Sequence, residues 1–196
     1  MIVILDRQHH GKPNMSDKGA RTELDGRTVH EVDLTHDYIE AASALLLAEG
    51  HAVYVLDDGW YSARHARACE IARENPDERI AYVACHINAG GGSYGLVLHD
   101  ARSRGGHALA EAVAGALGPA AAPHIDRALV RAADREGSWS RAMTTIQGIW
   151  SGPANIAGIC FEPFFIDSER NRDLLSPAGL TLVGQALATG CMQWGA

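Results

Sequence analysis

The chain has 196 residues, 46% of them hydrophobic and 21% charged, which suits one folded domain able to bury a full core without staples. A formal charge of −7 leaves no basic footprint, so nucleic acid and anionic lipid are poor partners. No apolar stretch approaches the roughly 18 residues that a bilayer span requires, and no membrane anchoring is expected.

Ile2–Leu5 predicts a short, fully apolar strand. Residues 11–26 are polar and turn-rich and predict a long loop of the kind that carries function. Val32, Leu34, Ile39, Ala42, Leu45 and Leu46 then recur at helical spacing, predicting a helix over Glu31–Glu49 with Gly50 as its cap. His51–Leu56 predicts a strand, and Tyr61–Glu74 a helix stopped before Pro76. Arg79–Ile87 and Gly95–Asp100 predict two further strands, followed by a helix over Arg104–Leu117 and a breaker at Gly118–Pro123. A helix is expected around Asp126–Arg135, a last strand over Ile156–Ile166, and a closing helix over Pro177–Gly190 with proline near its start. Strands alternating with helices imply an α/β fold: a mainly parallel sheet flanked by helices on both faces, as a single domain over 1–196. Residues 118–155 read as an insertion or lid within it.

Four cysteines (Cys69, Cys85, Cys160, Cys191) are widely spaced and form no Cys-x-x-Cys pair. They read as reduced core thiols rather than a disulfide framework or a zinc knuckle. With a strand starting at Ile2 there is no room for a signal peptide, so synthesis and folding in the cytoplasm are expected.

Three apolar segments end in groups that bind metals or move protons. Ile2–Leu5 runs into Asp6-Arg-Gln-His9-His10-Gly11, Tyr82-Val-Ala-Cys runs into His86-Ile-Asn88, and Ile156-Ala-Gly-Ile-Cys-Phe runs into Glu162. Strand ends followed by glycine-rich backbone are where open α/β sheets build reaction centres. A zinc hydrolase needs three His, Asp or Glu ligands, an open position, and a carboxylate to move protons. His9 and His86, with Glu31 at the start of the first helix, are placed to converge on one rim; a helix start also favours a carboxylate for electrostatic reasons alone. Glu162 either meets a cation or metal-bound water, or lies just past the edge of burial. Asp6 either orients an imidazole or is an exposed strand-end acid, and Asn88 either contacts substrate or closes its loop. His10 rivals His9, and Glu23 rivals Glu31. His30, His36, His51, His65, His99, His107 and His124 read as structural or solvent-facing.

These residues resemble the zinc-dependent N-acetylmuramoyl-L-alanine amidases of the amidase-3 family, which includes autolysins and phage endolysins. The family begins with a strand and Asp-x-Gly-His-Gly, matched by Asp6-Arg7-Gln8-His9-His10-Gly11. Its ligand glutamate opens a long helix, as Glu31 does, and its Ser-Ile-His-Ala-Asn-Ala segment is similar to Ala84-Cys85-His86-Ile87-Asn88-Ala89. Glu162-Pro-Phe-Phe-Ile-Asp stands where the family has its catalytic glutamate, and Arg64 is similar to its arginine on the second helix. The order of motifs is kept from Ile2 to about Leu187; Gln8 and Phe164 replace glycines, and 118–155 has no counterpart.

The resemblance implies Zn2+ held by His9, Glu31 and His86, with Glu162 as the proton-transferring catalytic residue. It implies peptidoglycan as substrate, cut at the amide between N-acetylmuramic acid and L-alanine, by an endolysin acting on the cell wall after release from the cytoplasm. The competing expectations are a zinc amidohydrolase of small acylated amino acids, with 118–155 closing its pocket, and a non-catalytic peptidoglycan-binding domain. A doubly wound nucleotide binder would carry Gly-x-Gly-x-x-Gly after the first strand, where this chain has Gln-His-His-Gly.

Overall fold

The computed structural model describes residues 1–11, 17–134 and 139–196. Strands β1 (Ile2–Arg7), β5 (Ile80–Cys85) and β8 (Ile156–Glu162) lie side by side and in parallel, nearly every residue buried. Continuous apolar runs are what a strand covered on both faces demands. With β4 (Ala52–Leu56), β6 (Gly95–Asp100) and β7 (Ala128–Ala133) they form one six-stranded sheet in the order β4-β1-β5-β8-β6-β7. All neighbouring pairs are parallel except β6–β8, which is antiparallel.

Helices cover both faces, and each face has its own core. Val3, Leu5, Ala81, Val83 and Phe161 pack under α1 (Glu31–Ala48), α3 (Arg104–Ala121) and α5 (Pro177–Gly195). The alternate residues Ile4, Tyr82 and Cys160 pack under α2 (Tyr61–Glu74) and α4 (Ser140–Trp150). The split follows from the two-residue period of a strand.

Several local signals act as expected. At the end of α1 the His51 N–H donates to the Leu46 carbonyl at 3.0 Å and the Gly50 N–H to that of Leu47 at 3.1 Å, with Gly50 at φ 80°. This is a Schellman cap, which glycine adopts at low cost. Helix α5 starts at Pro177, and its N-cap Ser176 accepts the Gly179 N–H at 3.1 Å.

Other expectations need correction. The stretch 11–26 is not all loop: Arg21–Leu24 (β2) pairs antiparallel with Arg27–His30 (β3) across an Asp25-Gly26 turn, both residues at positive φ. Asp-Gly at such a turn is a hairpin signal in its own right. Helix α3 runs through Pro119 to Ala121 instead of breaking at Gly118. The helix expected around Asp126–Arg135 is the strand β7, because the edge of β6 offers backbone partners that outweigh an alanine-rich segment's helical preference. The last strand stops at Glu162, short of Ile166. The described part of 118–155 thus supplies the end of α3, the edge strand β7 and helix α4 to the sheet and its covering layer. No single helix among the described residues is long and apolar enough to cross a membrane.

Candidate metal centre

The carboxyl ends of β1, β5 and β8 and the first turn of α1 meet at one rim. Beyond β1 the backbone turns sharply, with His9 at φ 63°. A left-handed conformation costs a non-glycine residue roughly 1–2 kcal/mol, so its surroundings must hold it there. The turn points His9 inward: Nδ1 is 2.8 Å from Asp17 Oδ1, and Nε2 is 3.6 Å from Glu31 Oε1. His10, the rival, points away and places Nδ1 2.9 Å from the Asp57 carbonyl.

Glu31 is the first residue of α1 and is 3% exposed. An anion is favoured at that helix end. Its Oε1 accepts the Ile87 N–H at 2.9 Å, and Oε2 accepts the Ala20 N–H at 2.8 Å. A Cβ on Gly19 would collide with Oε2 and lie 2.9 Å from Cδ, so the loop before β2 closes on the carboxylate only because position 19 is glycine. Glu23 stays on the hairpin, accepting the Thr28 hydroxyl at 2.6 Å.

His86 follows β5 and extends its ladder, donating its N–H to the Phe161 carbonyl at 2.9 Å while its own carbonyl accepts the Tyr38 hydroxyl at 3.0 Å. The ring sets Nδ1 2.9 Å from Glu31 Oε1 and stands edge-on to His9, with centroids 5.2 Å apart. His86 Nε2 is buried with no partner among the described residues. One ligand atom from each of His9, Glu31 and His86 lies within 4.8 Å of the others. Two imidazoles and a carboxylate converging in this way suit a divalent ion of the zinc type.

Glu162 closes β8 next to His86, since Cys85 and Phe161 are register partners. Burial raises its pKa, Glu31 reinforces the rise and His86 opposes it. Burial pulls His9 down despite Glu31, leaving the imidazole neutral and available for ligation. Burial is the largest single effect on Glu31 and His86 and opposes their charged forms too. Their hydrogen bond and mutual attraction, with His9 and the Ala20 N–H helping Glu31 and with Glu162 and Asp6 helping His86, together outweigh it: the carboxyl is held low and the imidazole high.

The remaining candidates resolve differently. Asp6 is not an exposed acid: it is fully buried, 2.6 Å from Arg64 Nη1 and hydrogen-bonded by the Tyr82 hydroxyl. Asn88 closes its loop: its N–H and carbonyl bridge to Phe164 and Ile166, and its Oδ1 accepts the Ala89 N–H at 2.8 Å. Asp17 is the residue that sequence reasoning missed; the signal was a carboxylate two residues before a glycine in the loop leading from His9 to Glu31. A cavity of about 470 Å3 lined by Arg79, Arg102, Arg104 and Trp150 opens at the other end of β8 and contains none of these groups.

No protein-family profile matches the sequence, and no curated protein does. Solved structures match over nearly the full length. The N-acetylmuramoyl-L-alanine amidase AmiC2 of Nostoc punctiforme is 19% identical at a TM-score of 0.71, covering 99% of this chain and 96% of that one. The CwlD amidase from Clostridioides difficile, solved with the GerS lipoprotein, is 17% identical at 0.70, covering 98% and 97%. The catalytic domain of the CD27L endolysin, which targets Clostridia difficile, is 17% identical at 0.61, again covering 98% and 97%. In architecture this chain is similar to the N-acetylmuramoyl-L-alanine amidases from end to end and shares their fold.

Proposed function

We propose that this chain is a zinc-dependent N-acetylmuramoyl-L-alanine amidase that cuts the amide between N-acetylmuramic acid and L-alanine in peptidoglycan. The observation that carries the reading is the convergence of His9, Glu31 and His86, with donor atoms within 4.8 Å of one another, beside Glu162 on the next strand. The shared fold of amidases, and of an endolysin among them, supports it.

His9, Glu31 and His86 would hold the ion. Zinc bound there supplies a Lewis acid that polarises the scissile carbonyl and makes water a nucleophile near neutral pH. Glu162 takes the proton of the attacking water and passes it to the departing amine of L-alanine. Its raised pKa suits a group that must both accept and return a proton. Glu31 is held ionised by His86 and by two backbone N–H groups, which fixes its orientation toward both imidazoles. Asp17 locks the His9 ring through Nδ1 and leaves Nε2 turned toward Glu31.

Incubation of zinc-loaded protein with purified sacculi, with products identified by mass spectrometry, tests the proposal. Intact glycan strands together with stem peptides bearing a free L-alanine amine are expected. Untouched sacculi in the presence of bound zinc would overturn it in favour of a small-substrate amidohydrolase.

A further inference from the structure

Beneath the His9 turn lies one side chain whose bonds go to the end of β1 and to the two loops beside it. Arg64, in the first turn of α2, is 2% exposed and the bulkiest of the fully buried residues. Its Nη1 donates to Asp6 Oδ1 at 2.6 Å and to the Arg7 carbonyl at 2.7 Å, and its Nη2 donates to the His10 carbonyl. Its Nε donates to the carbonyls of Gly59 at 3.1 Å and Asp58 at 3.3 Å. Arg7 and His10 flank the Gln8-His9 pair, so one planar group grips the backbone on both sides of the left-handed His9. The same two loops are tied again by the Gly59 N–H, which donates to the Gly11 carbonyl at 3.0 Å. Asp6 neutralises the guanidinium, and the Tyr82 hydroxyl occupies the other oxygen of Asp6.

We propose that Arg64 is the positioning residue of the metal centre, holding His9 in the backbone conformation that turns its imidazole toward Glu31. A strained residue persists only where its neighbours over-determine it. The rigid fork of a guanidinium reaches an acid and two separated carbonyls at once; a lysine ammonium carries the charge without the fork. Arg64 lies outside the donor set of His9, Glu31 and His86 and acts through His9. The inference rests on reading His9, Glu31 and His86 as zinc ligands.

The test is R64K in the full chain, stripped of metal and titrated with zinc by calorimetry. The visible spectrum of added Co2+ and an unfolding curve are recorded on the same preparation. R64K keeps the charge facing Asp6 and should be folded at the titration temperature. Zinc affinity should fall roughly 10- to 100-fold, and the cobalt spectrum should change with it. A folded R64K with wild-type affinity and spectrum overturns the role of Arg64 alone. A wild-type chain that binds neither ion overturns the ligand reading and this inference together. Should R64K fail to fold, G59A decides. Gly59 sits at φ 82°, where alanine is strained, while an added Cβ would meet only Ala63 at 3.5 Å, so the substitution shifts the carbonyl that anchors Arg64 Nε without a steric clash. A loss of zinc affinity of roughly threefold or more supports the proposal, and unchanged affinity overturns it.

Discussion

Glu31 Oε1 lies 2.9 Å from His86 Nδ1 and accepts the Ile87 backbone N–H at the same distance, so one oxygen joins the start of α1 to the end of β5. The imidazole is thus both a candidate ligand and the partner that keeps a buried carboxylate ionised. His86→Ala should reduce bound zinc from one equivalent to a small fraction. It should also destabilise the metal-free chain by about 1–3 kcal/mol, because Glu31 loses that partner. Metal analysis and unfolding in chelator read the two effects separately; full zinc occupancy would remove His86 from the ligand set.

Glu162→Gln keeps the shape of the side chain and deletes its ability to accept a proton. Turnover on sacculi should fall about 10²- to 10⁴-fold while zinc content stays at the wild-type level. Retained turnover would take Glu162 out of the reaction.

The same carboxyl should report its surroundings in the metal-free chain. Burial, helped by the Glu31 charge and opposed by His86, sets the Glu162 pKa above the ordinary carboxylate range. A carbon-13 NMR titration in chelator should place the Glu162 midpoint above those of the exposed glutamates, and an ordinary midpoint would contradict that account of its environment.

Gly19→Ala tests how tightly the loop closes on Glu31. At φ 74° an alanine is strained, and its Cβ would run into Glu31 Oε2. Urea unfolding should show a loss of about 1–3 kcal/mol, from backbone strain plus a displaced buried acceptor, and zinc affinity should drop with it. Unchanged values for both would mean that the loop gives way without disturbing the carboxylate.

Chelation should lower the melting temperature. An ion present at about a hundred times its dissociation constant adds about 2.7 kcal/mol, which for a chain of this size corresponds to roughly 5–10 °C. Scanning calorimetry with and without EDTA measures it, and identical curves would argue against a bound ion.

Much of the centre is legible in the sequence because β1, β5 and β8 are apolar throughout and then stop abruptly at polar groups. A histidine or glutamate at such a boundary has few structural reasons to be there. The choice of His9 over His10 is less legible, since alternation along an extended segment does not apply at a residue with φ 63°. Asp6 reads as a strand-end acid until the fold brings up Arg64 and Tyr82 from 58 and 76 residues away. Asp17 depends in the same way on the turn after β1. Strand β7 was hidden by composition: Ala128-Leu-Val-Arg-Ala-Ala has no strand signature, and its conformation is imposed by the partner it meets. The β2–β3 hairpin was hidden by exposure, having too few buried residues to show alternation, although its Asp25-Gly26 turn was readable.

Strand β8, the last of the sheet in chain order, inserts between β5 and β6, which are themselves neighbours in chain order. Until it arrives, β6 and β7 have no hydrogen-bonded link to the other strands, and the position beside His86 lacks its glutamate. Closing the sheet and delivering Glu162 are therefore one event in folding. On the proposed reading, a partly folded chain that had already gathered His9, Glu31 and His86 would have its zinc ligands in place and still lack the carboxylate that moves the proton.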